Sequence, residues 1–195
     1  MPYTPAHKAR TRERIVDSAR RLFNRDGFAG VSIDELMADA GLTRGGFYNH
    51  FGNKEDLYAE VVKEEAKRWS GHEAVGNGVA RDLIAAYLSE AHFDSRDDSC
   101  PLLAFASDVA RGGEPVKRAY RQVLEAMVGV LEQGLEGRPD GRERAMALAA
   151  LCIGGMAVAR AVDDVNLAHE LRESAKRLAL SIAGQTTRPQ AEAAE

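Results

Sequence analysis

Residues 32–57, SIDELMADAGLTRGGFYNHFGNKEDL, decide how the rest of the chain is read. Ser32 is followed three residues later by Glu35, the capping-box spacing, and this predicts a helix start. Ile33, Leu36, Met37 and Ala40 recur at three- and four-residue steps, so a helix over 33–40 carries one apolar stripe. Gly41 stands where that helix must end in a left-handed turn. Leu42 anchors the turn, and Thr43 is placed to cap a second helix over 44–51. Two short helices around a glycine-bearing turn make the helix-turn-helix pattern, whose second helix lies in the DNA major groove.

The second helix is unusual for a purely structural element. Gly45 and Gly46 occupy its first turn, where each costs roughly 0.5–1 kcal/mol relative to alanine. Absent side chains let another backbone come close, and beside DNA that backbone is the sugar-phosphate rail or a base edge. Arg44, Tyr48, Asn49 and His50 crowd the same helix with hydrogen-bonding groups, while Phe47 and Phe51 anchor it from beneath. The plainer alternative is a short core helix with a flexible start. A DNA-reading helix is the better reading.

TRGGFYNHFGNKEDL (43–57) closely resembles the recognition-helix signature of the tetracycline-repressor (TetR) family of bacterial regulators. RERIVDSARRLFNRDGFAGVSIDELMADAGL (12–42) is similar to the family in order and spacing. Beyond about residue 60 only length and helical layout agree. The resemblance implies an N-terminal three-helix DNA-binding domain and a larger helical domain for ligand binding and dimerisation. It also implies phosphate contacts from Tyr48, His50 and Lys54, which match phosphate-contacting residues of the family. The candidate DNA-binding set is Ser32, Thr43, Arg44, Gly45, Gly46, Tyr48, Asn49, His50 and Lys54.

Charge distribution agrees with a nucleic-acid partner even though the net charge of the chain is −4. Residues 1–25 hold Lys8, Arg10, Arg12, Arg14, Arg20, Arg21 and Arg25 against Glu13 and Asp17. A basic end on an acidic body is expected where one end meets phosphate. Lys8 to Arg14 are placed to reach the backbone or minor groove as a mobile arm, with residues 1–7 disordered until DNA is near. Arg20 and Arg21 suit a solvated helix face equally well.

The remaining chain reads as all-α, rich in Ala, Leu, Glu and Arg and poor in alternating β-branched runs. One helix is expected over 8–25, with Ile15, Ala19, Leu22 and Phe23 inward, stopped by NRDG (24–27). Phe28 and Val31 pack the turn that follows. Asn53 begins a helix with Asp56 as capping partner, and Leu57, Tyr58, Val61, Val62 and Ala66 run along it toward Trp69. This helix joins a DNA-binding domain, 1–52, to a regulatory domain, 53–186. SGHEAVGNG (70–78) is the clearest break. Further helices are expected over 79–92, from Pro101 over LLAFASDVA, and over 116–135, with a polar loop at 94–99. The tail 187–195 reads as disordered. Residues 142–162 are apolar nearly all round, and 167–183 offer an adjoining stripe of Leu171, Ala175, Leu178, Ala179 and Ile182. A second copy would cover them as an intermolecular four-helix bundle.

No apolar run near 18 residues is evident, so no membrane span is expected, and the N-terminus lacks a secretory signal. With only Cys100 and Cys152, no disulfide framework is expected, and the chain reads as cytoplasmic. No phosphate loop, nucleophile elbow or paired metal ligands occur, so neither an enzyme nor a cofactor is expected. His7, His50, His72, His92 and His169 are scattered.

The resulting expectation is a homodimeric, ligand-responsive regulator, a repressor on a pseudo-palindromic operator. Its small-molecule effector would be lined by Tyr87, Phe93, Phe105, Tyr120, Met127 and Met156, residues that suit plain core as well. One alternative input is Cys100, a thiol at a helix N-terminus that can react as thiolate, although Asp97, Asp98 and Asp108 oppose this. Another is a protein partner in place of a metabolite.

Overall fold

In the computed structural model, which describes residues 4–70, 78–95, 99–135 and 137–184, with backbone only for 65–70, the capping box at Ser32 closes as its spacing predicts. The Ser32 N–H donates to Glu35 Oε2 at 2.7 Å, and the Glu35 N–H donates to Ser32 Oγ at 3.2 Å. The expectations for residues 1–3, the break at 71–77, the loop at 96–98, the tail from 185 and the side chains of Ala66 and Trp69 fall outside the described residues.

By internal contacts the chain forms two compact units, one of residues 1–73 and 90–127, the other of 74–89 and 128–195. The expected cut at 52/53 follows the DNA-reading helices; the packing groups the chain differently.

The first unit begins with α1 (Pro5–Gly30). Its start lies ahead of the expected Lys8, because Pro5 is at N1 and Thr4 Oγ1 accepts the His7 N–H at 3.3 Å. Residues 4–7 are therefore capped helix, which corrects the loose arm expected there. The NRDG stop is in fact a kink. Gly27 takes φ +74°, a left-handed conformation suited to glycine, and one more helical turn follows before Val31 becomes extended. Next come α2 (Ile33–Asp39), Gly41 at φ +64°, α3 (Arg44–Phe47) and α4 (Lys54–Ser70). Only four residues of the expected second helix are regular α. Bonds from His50 N–H to Phe47 O (2.9 Å) and Phe51 N–H to Phe47 O (3.0 Å) extend it as turns. Asn53 Oδ1 accepts the Asp56 N–H at 2.8 Å and caps α4.

Ile15, Ala19, Phe23, Leu36, Met37, Phe47, Leu57 and Tyr58 are buried and form the core of these four helices. Each large apolar side chain so placed contributes roughly 1.5–3 kcal/mol relative to exposure. After α5 (Val79–Tyr87), which belongs to the second unit, the first unit resumes with α6 (Glu90–Asp94), α7 (Pro101–Ala104), α8 (Ala106–Arg111) and the start of α9 (Glu114–Gln133). Two expected helices are thus broken. Leu88 (φ −96°, ψ 21°) ends α5 before 92, and Phe105 (φ −112°, ψ 0°) separates α7 from α8.

The second unit is dominated by α10 (Gly141–Ala161) lying against α11 (Val165–Gly184). Gly155 permits the contact, since a Cβ there would lie 2.5 Å from that of Ala175. Arg172, only 4% exposed, donates to Leu88 O at 2.9 Å and ties α11 to the end of α5. By length and composition alone α10 is also apolar enough to cross a membrane, a test that a buried core helix passes as well. Its charges cluster at Arg142–Arg144 and at Arg160, and so leave a long apolar interior between them. In the fold, Ala145, Leu148, Cys152 and Met156 are buried, whereas Met146 (49%) and Val158 (51%) are exposed.

Candidate nucleic-acid interface

The loop and short helix from Thr43 to Asn49 present an open surface held by a packed underside. Phe47 is fully buried, with its ring edge-on to Tyr48 (5.3 Å) and tilted against Phe51 (5.8 Å). That anchor leaves Thr43, Arg44, Gly45, Tyr48 and Asn49 exposed. Thr43 occupies the N-cap position, but its hydroxyl makes no cap bond, contrary to the expected role. Packing does not demand either glycine. A Cβ on Gly45 would meet nothing within 4 Å, and one on Gly46 would meet only Met37 Cε at an ordinary 3.5 Å.

Arg44 does not stand alone. Its Nη1 lies 2.6 Å from Asp34 Oδ2, with the two side chains 60% and 58% exposed. Hydrogen bonding with Tyr48, and then the charge of Asp34, raise its pKa above the ordinary arginine value. His50 is half-buried, and its Nδ1 is enclosed without a hydrogen-bond partner. Burial, followed by Lys8 and Arg12, lowers its pKa below 6.5.

Lys54 is placed differently from a free phosphate hook. Its ammonium donates to the carbonyls of Phe28 (2.5 Å) and Val31 (2.6 Å) and lies 4.3 Å from the centre of the Phe28 ring. Two of its three N–H donors thus close the C-terminal end of α1. Ser32 is likewise occupied, donating its hydroxyl to Glu35 Oε2 at 2.7 Å.

Several arginines of the basic end also have structural partners. Arg12 lies 4.6 Å over the Phe51 ring and bonds Glu60 Oε1 at 3.0 Å. Arg14 donates to Ala40 O, the C-cap residue of α2. Arg21 pairs with Asp39 at 2.8 Å, and the same carboxylate accepts from Ser18 Oγ at 2.6 Å. These pairings, and the Asp34–Arg44 pair, were missed in the sequence because partners ten to 48 residues apart leave no local pattern. The start of α1 did carry a signal, the Thr4–Pro5 cap pair.

The residues expected to line an effector pocket divide between the units. Phe93, Phe105, Tyr120 and Met127 lie in the first, Tyr87 and Met156 in the second. Phe105 is fully buried and packs 4.9 Å from the Tyr58 ring. The Tyr120 hydroxyl donates to Leu102 O at 2.8 Å, and burial pushes its pKa up to about 12. Cys100 is buried and holds the N-cap position of α7 without a side-chain cap bond. Cys152 is buried in α10, where desolvation pushes its thiol up to about 12.

Residues 15–61 match the family description "bacterial regulatory proteins, tetR family". Residues 15–61 of the chain thus carry a TetR-family segment. The match spans α2 and α3 entirely, with most of α1 and the first half of α4. Among TetR-family relatives, the transcriptional regulator AcrR of Shigella flexneri is 45% identical over 51 residues, 26% of this chain and 24% of that protein. The transcriptional regulator LmrA of Bacillus subtilis is 27% identical over 143 residues, 69% of this chain and 76% of that protein. A TetR transcriptional regulator of Chloroflexus aurantiacus has a crystal structure similar to this one, with a TM-score of 0.69 and 27% identity. The likeness covers 92% of this chain and 98% of that one.

Proposed function

We propose that the chain is a homodimeric DNA-binding repressor of transcription, acting in the cytoplasm and released from its operator by a small molecule. Residues 1–52 form the DNA-reading part and 53–186 the regulatory and dimerisation part. Two copies of α3 enter successive major grooves of a pseudo-palindromic operator, about one helical turn apart. Arg44 and Asn49 approach base edges, for which arginine suits guanine and asparagine adenine. Gly45 and Gly46 let the backbone come close. Ser32, Thr43, Tyr48 and His50 set position on phosphates, joined by the remaining donor of Lys54.

The observation that carries this reading is Gly45. It sits at an exposed helical position with open space where its side chain would be, so the reason for a glycine there lies outside the chain. Dimerisation is supported by the uncovered apolar side chains Met146 and Val158 on α10, and Leu167 and Leu178 on α11. A ligand releases the dimer only by preferring the state whose reading heads misfit the grooves.

Arg44→Ala tests the reading. Duplexes selected by the wild-type chain from a randomised pool, and random duplexes, are titrated at several salt concentrations. The variant is expected to lose about 1–3 kcal/mol on the selected duplexes and much less on random DNA. Equal losses on both would show that Arg44 reads no base.

A further inference from the structure

We infer that Asp34 is a specificity-determining residue of this face, a positioning residue that holds the Arg44 guanidinium for a base edge and away from phosphates. The inference rests on the DNA-reading role proposed above. Arg44 Nη1 and Asp34 Oδ2 are 2.6 Å apart, and the pair is more than half exposed on both sides. Ion pairs so open to water contribute little to folding, so stability is a poor reason for this one. Glu35, and not Asp34, closes the capping box of α2. Asp34 shares the first turn of α2, where its charge favours the helix start, but it makes none of the cap bonds.

A carboxylate on a surface turned toward DNA opposes the phosphates of every sequence alike, weakening the electrostatic part of binding. That cost is repaid only if the carboxylate improves discrimination. Two effects do so. Arginine's long side chain otherwise samples many rotamers and pairs with any phosphate within reach, whereas Asp34 restrains it at Nη1. The Nε–Nη2 edge then remains for the bidentate contact with guanine O6 and N7. A sequence lacking that guanine leaves Arg44 with Asp34 as its partner, and the Asp34 charge continues to repel the backbone. Specificity then comes partly from a repulsive element built against the wrong partner.

Asp34→Asn keeps the shape and removes the charge. Against duplexes selected by the wild-type chain, and against random duplexes, the variant should bind random DNA more tightly. Its selected-to-random affinity ratio should fall by about fivefold or more, the scale of one bidentate base contact. The salt slope on random DNA should steepen by about one phosphate per subunit, because the released Arg44 now neutralises one. Placed in an Arg44→Ala background, Asp34→Asn should leave the ratio unchanged, since no guanidinium remains to be positioned. A thermal melt accompanies each variant, and Asp34→Ser repeats the comparison should Asp34→Asn melt early. An unchanged ratio, or equal weakening on both DNAs, overturns the inference. A wild-type chain that binds selected and random DNA alike would instead remove the DNA-reading proposal itself, so the two failures are distinguishable.

Discussion

Gly45 shows how a single residue can separate folding from function. Its Cβ position is open, and its backbone lies in the helical region that alanine favours. Gly45→Ala should therefore raise stability by up to about 0.5–1 kcal/mol while weakening DNA binding. A thermal melt beside a DNA titration measures both, and a variant that binds normally would remove the close-approach argument. His50 gives a pH dependence at the same scale. Because its folded pKa is lowered, chiefly by burial, the unfolded chain takes up a proton first as pH falls below 6.5. The stability from neutral His50 is complete above 6.5 and lost between 6.5 and the lowered folded value. A phosphate at Nε2 favours the charged ring, so DNA affinity should rise as pH falls through the same window. His50→Asn should flatten both profiles, read by melts and titrations from pH 7.5 to 5.

The C-terminal end of α1 depends on other elements. At the Gly27 kink, Asp108 Oδ2 of α8 accepts the Phe28 N–H at 2.9 Å, and Arg111 holds the other carboxylate oxygen at 2.9 Å. Lys54 of α4 takes the Phe28 and Val31 carbonyls. The turn into α2 is thus fixed by two side chains from elsewhere in the same unit. Asp108→Ala should cost about 1–3 kcal/mol, the expense of leaving a partly buried N–H without its partner. It should also speed hydrogen exchange at the Phe28 amide, while the α4 amides near Val61 and Val62 keep their protection. Unchanged exchange at Phe28 would mean that Lys54 and the kink suffice. The Ser32 capping box, the Asn53 cap and the Gly41 turn were legible beforehand because each is written within three or four residues. The breaks at Leu88 and Phe105 were not, since nothing in the apolar spacing of 79–92 or 101–110 interrupts a helix there.

For the whole molecule, the decisive surface is the apolar face left on α10 and α11. Val158 at 51% and Leu178 at 55% exposure are large apolar side chains for which the single chain offers no cover. Val158→Arg should leave helical content unchanged by circular dichroism and shift sedimentation from a dimer to a monomer. It should also lower affinity for the two-half-site duplex far more than for one half-site. A variant that still sediments as a dimer would place the interface elsewhere. The same apolar character lets α10 meet the length and composition of a membrane span.

What the sequence alone determined is everything carried by short spacing: an all-helical chain, the Ser32 capping box, the Gly41 turn, the Asn53 cap, and a recognition segment whose donors and glycines point to DNA. What only the tertiary structure decided is where long side chains end. Lys54 turns inward to two carbonyls, Arg12 and Arg14 brace the reading head, and Arg44 finds Asp34. The physical reason is reach. A capping residue acts within one turn of its own backbone, so its partner is written beside it. A lysine or arginine spans several ångströms, and its partner is chosen by whichever carbonyl or carboxylate the packed helices bring within range.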